Sequence, residues 1–343
     1  MTTSIPRPVR LLHPRFTRSL ASASSPAPDS LASARAHCLA TLSRHDRPAI
    51  FIHRALPPAA KDTYLALRAL NATLLSIPDR VPTPPLQRLR LSFWSTALED
   101  TFSGSPPAEP ICTLLAACCS SSSSSASLRF WTLRLLRARS AIPPSPPASL
   151  AALESTAEQS YASISYAALA AAAPPCTTAD HISSHIAKAA GLAATLRGLP
   201  ILTSARDPLL GLPLDVLARH GVREELVVRY GPQADGLRDA VFDVATRAHD
   251  HLITAREILR DVKAGRAVNH EFEHMHDDGH VYHDKEDTSE WARIRKVFGV
   301  FLEAVPAADY LHDLEKAQFD PWRVGKSWKL PFRMWWASSR EDI

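Results

Sequence analysis

Apolar residues recur at intervals of three and four along nearly the whole chain from Ser30 onward. That is the spacing of one face of an α-helix. Residues 59–76, AAKDTYLALRALNATLLS, show it plainly: Tyr64, Leu67, Ala69, Leu70, Leu74 and Leu75 make one apolar stripe. The same period predicts helices over 85–101, 110–119, 127–139, 149–172, 179–199, 213–220, 235–262, 290–304 and 307–318, then a last stretch to Trp336. Asp29 and Ser30 predict a capped start for a first helix holding Leu31, Ala34, Cys38 and Leu42. Residues 225–230 alone also read as a short strand. Glycine is scarce, at 11, and the 28 prolines fall mostly between the periodic segments, where they act as punctuation. The expected fold class is all-α, one domain of about ten helices, with no internal repeat.

Several classes are excluded early. No apolar run approaches the roughly 18 residues of a spanning helix. A chain that is 45% hydrophobic has too much to bury to be disordered throughout. The formal charge is +4, and Arg7, Arg10, Arg15 and Arg18 account for all of it. They lie in residues 1–28, which contain no acid, so the remainder is close to neutral and a nucleic-acid partner is not expected. Residues 1–28 are rich in Arg and Ser/Thr, with Leu11, Leu12, Phe16 and Leu20 as an apolar side, the composition of a mitochondrial transit peptide. A basic tail without a targeting role is the plainer alternative, since Pro6, Pro8 and Pro14 interrupt an amphipathic helix. Residues 30–338 are read as the folded domain. The five cysteines are odd in number and lack a C-x-x-C pair, so they read as small buried residues in a reducing compartment.

Candidate chemical groups are few. The serine tract at 120–125 and the His- and acid-rich segment at 265–287 interrupt the domain and read as solvated loops. In the latter, His270, His274, His276, His280 and His283, with Glu271 and Asp277, have spacings that suit Zn²⁺ or Ni²⁺. A polar loop supplies no fixed cage, so no metal is assigned. His181 and His185, one turn apart, read as a packed or hydrogen-bonded pair. Asp235, Asp239 and Asp243, and the pair Asp309 and Asp313, read as solvated helix faces, with Arg238, Arg247 and Lys316 as available partners. There is no G-x-S-x-G, P-loop or G-x-G-x-x-G after a strand. Near the end, Phe319, Trp322, Trp328, Phe332, Trp335 and Trp336 alternate with Arg323, Lys326, Lys329, Arg333 and Arg340. Such a mixture suits a peripheral membrane interface, and equally a helix packed on the core with two tryptophans buried.

Three segments, in order, resemble elements of the squalene/phytoene synthase family: RALPPAAKDTYLALRALNATL, LRLSFWSTALEDTF, and ADHISSHIAKAAGLAATLRGLP followed by GLPLDVLARHGV. The nearer resemblance is to a mitochondrial branch of that family, the complex I assembly factors. It is carried also by LRDAVFDVATRAHDHLITAR, FLEAVPAADYLHDLEKAQFDPW and LPFRMWW, and spans Leu39 to Trp336. The resemblance implies an isoprenoid-synthase-like helical bundle around a central cavity. Synthases of the family hold Mg²⁺ on two D-x-x-x-D motifs facing each other, because a diphosphate leaving group needs its charge neutralised. Aligned on Arg68, the first motif falls on Asn71, Ala72 and Leu75; aligned on LRG, the second falls on Gly198 and Leu202. None is acidic. The implied function is a non-catalytic assembly factor for respiratory complex I, on the matrix side of the inner membrane, without cofactor. Its partners would be complex I subunits or other assembly factors. A prenyl-diphosphate transferase using other acids is one alternative. An isoprenoid- or lipid-binding module is another, in which Arg68, Asn71, His185 and Arg197 line the cavity and hold an anionic head group.

Overall fold

The computed structural model describes residues 28–81, 83–121, 125–140, 145–205, 208–266 and 289–343. Helices α1 to α5 span Pro28–His45, Arg47–Ala55, Pro58–Leu75, Ile77–Arg80 and Pro84–Phe102. Helices α6 to α10 span Pro110–Ser121, Ser125–Ala138, Leu150–Ala157, Ser163–Ala172 and Thr177–Leu202. Helices α11 to α16 span Leu214–Arg219, Glu224–Tyr230, Leu237–Lys263, Ser289–Val297, Ala304–Lys316 and Leu330–Arg340. No strand occurs among the described residues, and 225–230 lies in α12. The all-α expectation holds.

Prolines open many of these helices. Pro48, Pro58, Pro78, Pro84 and Pro331 sit in first turns, where a missing N–H costs nothing and the fixed φ already suits a helix. Pro200 is the exception: α10 runs through it to Leu202, beyond the expected end at 199. The periodicity missed α2, which is short and shares little of the spacing of its neighbours. The serine tract is more helical than expected, for Ser120 and Ser121 close α6 and Ser125 opens α7. The His-rich segment lies outside the described residues from 267 to 288.

Two helices organise the packing. In α3 every residue from Tyr64 to Asn71 is buried, so this helix is enclosed on all sides, against α1, α6 and α9. In α10 the buried residues run from Ile182 to Ala187 and on to Ala193, and its neighbours are α13, α8 and α15. Small residues let these helices approach closely. A Cβ on Gly191 would stand 2.2 Å from the Ala157 Cβ of α8. Between α8 and α9 the backbone widens into a single π-helical turn, Glu158–Ala162, which touches α10, α7 and both helices it joins. Between α14 and α15 it tightens into a 3₁₀ segment, Phe298–Glu303, buried throughout. The central cavity lies between α3 and α10, walled by these two departures from α-geometry.

None of the five cysteines is in a disulfide. Burial pushes the thiols of Cys38, Cys112 and Cys118 up to about 12, so they are inert fillers of the core.

Candidate functional site

The cavity encloses about 270 Å³. From α3 it is lined by Arg68, Asn71, Ala72 and Leu75, positions i, i+3, i+4 and i+7, which share one helix face. From α10 come Ala190, Ala194 and Arg197, at i, i+4 and i+7. Asp46, between α1 and α2, Tyr161 of the π turn and Glu303 at the end of the 3₁₀ segment complete the inner wall, and Asp79 is exposed at the rim.

Arg68 is the hub. Its Nε donates to Asp46 Oδ2 at 2.5 Å and its Nη2 to Glu303 Oε1 at 2.9 Å. Arg68 and Glu303 are both buried, while Asp46 keeps some contact with solvent. Burial alone would lower Arg68, but the two carboxylates outweigh it and hold the guanidinium well above its ordinary value. Burial raises the Glu303 carboxyl, and Arg68 opposes that rise. A second cation, the half-buried Arg139, donates from Nε to Asn71 Oδ1 at 2.9 Å. Burial lowers its pKa, and Arg68 adds to the effect. The Tyr161 ring lies 5.4 Å from each guanidinium carbon and so faces both cations. The π turn explains this placement. An extra residue in the turn rotates the residues that follow around the helix axis. Arg197, exposed, stacks 5.2 Å over the Tyr310 ring.

Arg68, Asn71 and Arg197 line the same cavity. His185 does not join them. It lies five residues before Ala190, about 140° round the helix at 3.6 residues per turn, and its ring points elsewhere. His185 Nδ1 is 3.0 Å from His251 Nδ1, and its Nε2 is 3.1 Å from His181 Nε2. His251 Nε2 in turn lies 3.0 Å from Glu154 Oε1, which Arg247 also binds. Burial would raise the Glu154 carboxyl, but His251 and Arg247 hold it down to about 2. The expected hydrogen-bonded histidine pair is thus part of a chain that ties α10 to α13 and α8.

Asp235 and Asp239 are exposed and Lys316 approaches Asp313 at 3.8 Å, as the solvated-face reading implied, whereas Asp243 and Asp309 are less solvated than that. Asp243 is bound by Arg219 at 2.8 Å and His220 at 2.9 Å, both from the end of α11. Asp309 is buried and paired with Arg333 of α16. Arg238 approaches Asp320, and Arg247 binds Glu154. Among the described residues no three His, Cys, Asp or Glu side chains form a metal-holding group.

Residues 42–336 match the model of the squalene/phytoene synthase family. The chain belongs to that family. Its curated relatives include complex I assembly factor 6 of Rattus norvegicus, 30% identical over 329 residues, covering 94% of this chain and 86% of the relative. The Drosophila melanogaster homologue is 28% identical over 308 residues, covering 88% and 82%. Among solved structures, a dehydrosqualene synthase superposes with a TM-score of 0.66 at 13% identity, covering 91% of this chain and 98% of that one. A squalene synthase from Alicyclobacillus acidocaldarius gives 0.58 at 14%, covering 86% and 98%. The bundle is the all-α isoprenoid-synthase fold.

In this squalene/phytoene synthase family member, Asn71, Ala72 and Leu75 do stand on the cavity wall, whereas Gly198 and Leu202 do not line it. Carboxylates are present all the same, from positions that motif spacing does not flag. As a seat for Mg²⁺ and a diphosphate the donor set does not fit. Mg²⁺ demands several free oxygen ligands in near-octahedral array, and both inner carboxylates are already held by Arg68. Sequence reasoning missed Asp46, Arg139, Tyr161 and Glu303. Only Glu303 left a signal, as an acid inside the apolar run VFGVFLEAV.

Proposed function

We propose that this chain is a non-catalytic assembly factor for mitochondrial respiratory complex I, acting from the matrix side of the inner membrane as a peripheral protein. One observation carries the non-catalytic part. The place where a synthase of this fold needs open carboxylates is filled by an internal ion triad, Asp46–Arg68–Glu303. The remaining space, about 270 Å³, is at the small end of the roughly 300–1,000 Å³ of ordinary ligand pockets. The assembly role is supported by the names of the relatives, and the mitochondrial address by the acid-free, Arg-rich residues 1–28. The partners are then complex I subunits or other assembly factors.

A smaller anion is a second reading, favoured by Arg197 at the cavity, which has no carboxylate within ion-pair distance among the described residues. Arg68 and Asn71 would serve it only indirectly, being engaged by Asp46, Glu303 and Arg139.

The test has two arms. A deletion strain resolved on native gels should lack mature complex I and regain it on expression of the chain; a normal complex I profile in the deletion overturns the assembly role. Purified protein with Mg²⁺ and farnesyl or geranylgeranyl diphosphate should form no squalene or phytoene. Turnover would overturn the non-catalytic reading, because it would require leaving-group charge to be neutralised here.

A further inference from the structure

Helix α16 presents two opposite apolar faces. Met334 and Ala337 are buried against the bundle. Phe332, Trp335 and Trp336, at i, i+3 and i+4, point away from it and are 67%, 66% and 54% exposed. Trp328, one turn before Phe332, is 75% exposed. Three tryptophans and a phenylalanine on one short segment are a large apolar area to leave in water. The residues between them are cationic. From Pro321 to Arg340 there are five Lys or Arg, namely Arg323, Lys326, Lys329, Arg333 and Arg340, and no acid. The Arg340 guanidinium lies 4.2 Å over the Trp336 ring and the Lys329 ammonium 5.6 Å over Trp328, so cation and aromatic stand at the same level.

Beside this face is a basic recess. Arg256, Arg260 and Lys263 of α13 and Arg340 of α16 line it, with Asp342 and Ile343. Part of this charge is met locally, since Asp342 approaches Lys263 at 4.0 Å and Arg256 Nε donates to an Ile343 oxygen at 2.7 Å. Asp309 is taken by Arg333 and Glu341 by Arg295 at 2.6 Å, which leaves Arg260 and Arg340 as the cations facing outward. Arg260 and Arg340 are exposed.

We infer that the α16 face, with Trp328, is a docking surface for an anionic phospholipid membrane, and that the adjoining basic recess receives a phosphate head group. Indole rings settle at the interface between head groups and acyl chains, with Lys and Arg beside them reaching the phosphates. A protein partner fits less well, since the buried centres of protein interfaces are depleted of lysine, whereas Lys326 and Lys329 flank Trp328 here. No helix among the described residues is long and apolar enough to cross a membrane, so attachment through them lies in the plane of the interface. The inference rests on the peripheral placement proposed above and names the surface that achieves it.

Vesicle flotation with the full chain tests it, using phosphatidylcholine vesicles and phosphatidylcholine–cardiolipin vesicles. The protein should float with the cardiolipin mixture, its tryptophan emission shifted to the blue, and remain unbound with phosphatidylcholine alone. Trp335→Ser with Trp336→Ser should weaken binding roughly tenfold or more, by loss of buried apolar area. Lys326→Glu with Lys329→Glu should abolish the preference for cardiolipin. Trp328→Ser lies outside α16 and should weaken binding even if the helix variants misfold. Wild-type protein that floats with neither vesicle, or a folded Trp335→Ser/Trp336→Ser variant that floats as wild type does, overturns the inference. A chain that floats as expected in a strain whose complex I is normal without it refutes the assembly role and leaves the docking surface standing.

Discussion

The Arg68 guanidinium lies between two carboxylates supplied by distant parts of the chain, 22 residues before it and 235 after. Such a triad is costly to open on one side. Removing one member of a buried pair leaves the other charge unpaired in a medium that solvates it poorly, typically a loss of about 3–5 kcal/mol. Arg68→Met should therefore destabilise strongly, because Glu303 is buried and Asp46 is only partly exposed. Glu303→Gln alone should cost less, since Asp46 still faces the cation. The combined Arg68→Met/Glu303→Gln variant should lose clearly less than the sum of the two, as measured by urea denaturation in a double-mutant cycle. Additive losses would mean that the two side chains are not coupled, and the reading of the cavity as filled by its own ion triad would fall with them.

At the level of elements, the cavity depends on how closely α8 and α10 approach and on the turn that follows α8. Gly191 is the point of closest approach. Its missing Cβ is what lets Ala157 sit against the α10 backbone, just before the π turn that carries Tyr161 between the two arginines. Gly191→Ala places two carbons at 2.2 Å, a clash that only backbone movement relieves. The expected cost is about 2 kcal/mol or more, at the upper part of the overpacking range. Adding Ala157→Gly should recover part of it, less the roughly 1 kcal/mol that a mid-helix glycine costs. Thermal unfolding of the single and double variants measures both terms. A neutral Gly191→Ala would show that the helices have room to part. Gly299 plays a similar part elsewhere: a Cβ there would meet the Ala55 carbonyl oxygen at 2.6 Å, which fixes the 3₁₀ segment that delivers Glu303.

Over the whole molecule, the described fold begins with α1 at Pro28 and ends with α16 and the residues after it. Deleting residues 1–25 should leave the thermal midpoint unchanged, because no described helix loses a residue. The same deletion should abolish mitochondrial import, because it removes the four arginines on which the targeting reading rests. Import of labelled precursor into isolated mitochondria, with protease protection as the readout, checks this. Unimpaired import would leave residues 1–25 as a basic tail and move the address elsewhere in the chain.

The helices themselves were legible because helix formation is a local matter. Periodicity, proline at first turns and hydrogen bonds from i to i+4 all operate within a few residues, and so most elements appear within two or three residues of their expected bounds. The lack of acids at Asn71, Ala72, Leu75, Gly198 and Leu202 was equally plain, since it is a statement of residue identity. What the sequence could not show was which faces meet. Period alone does not say that the face of α10 bearing Ala190 and Arg197 looks into the cavity while His185 turns toward His251. It does not say that Glu303 reaches back to Arg68, or that Trp335 and Trp336 stay outside while Met334 packs inward. Those outcomes depend on contacts between residues far apart in the chain, and on single-turn changes of helical pitch that rotate side chains without altering the apolar pattern. The sequence alone determined an all-α chain of a synthase-like family without its motif acids; tertiary packing decided that other carboxylates enter the cavity and share Arg68 there, because burial forces a charge to find a partner wherever the fold supplies one.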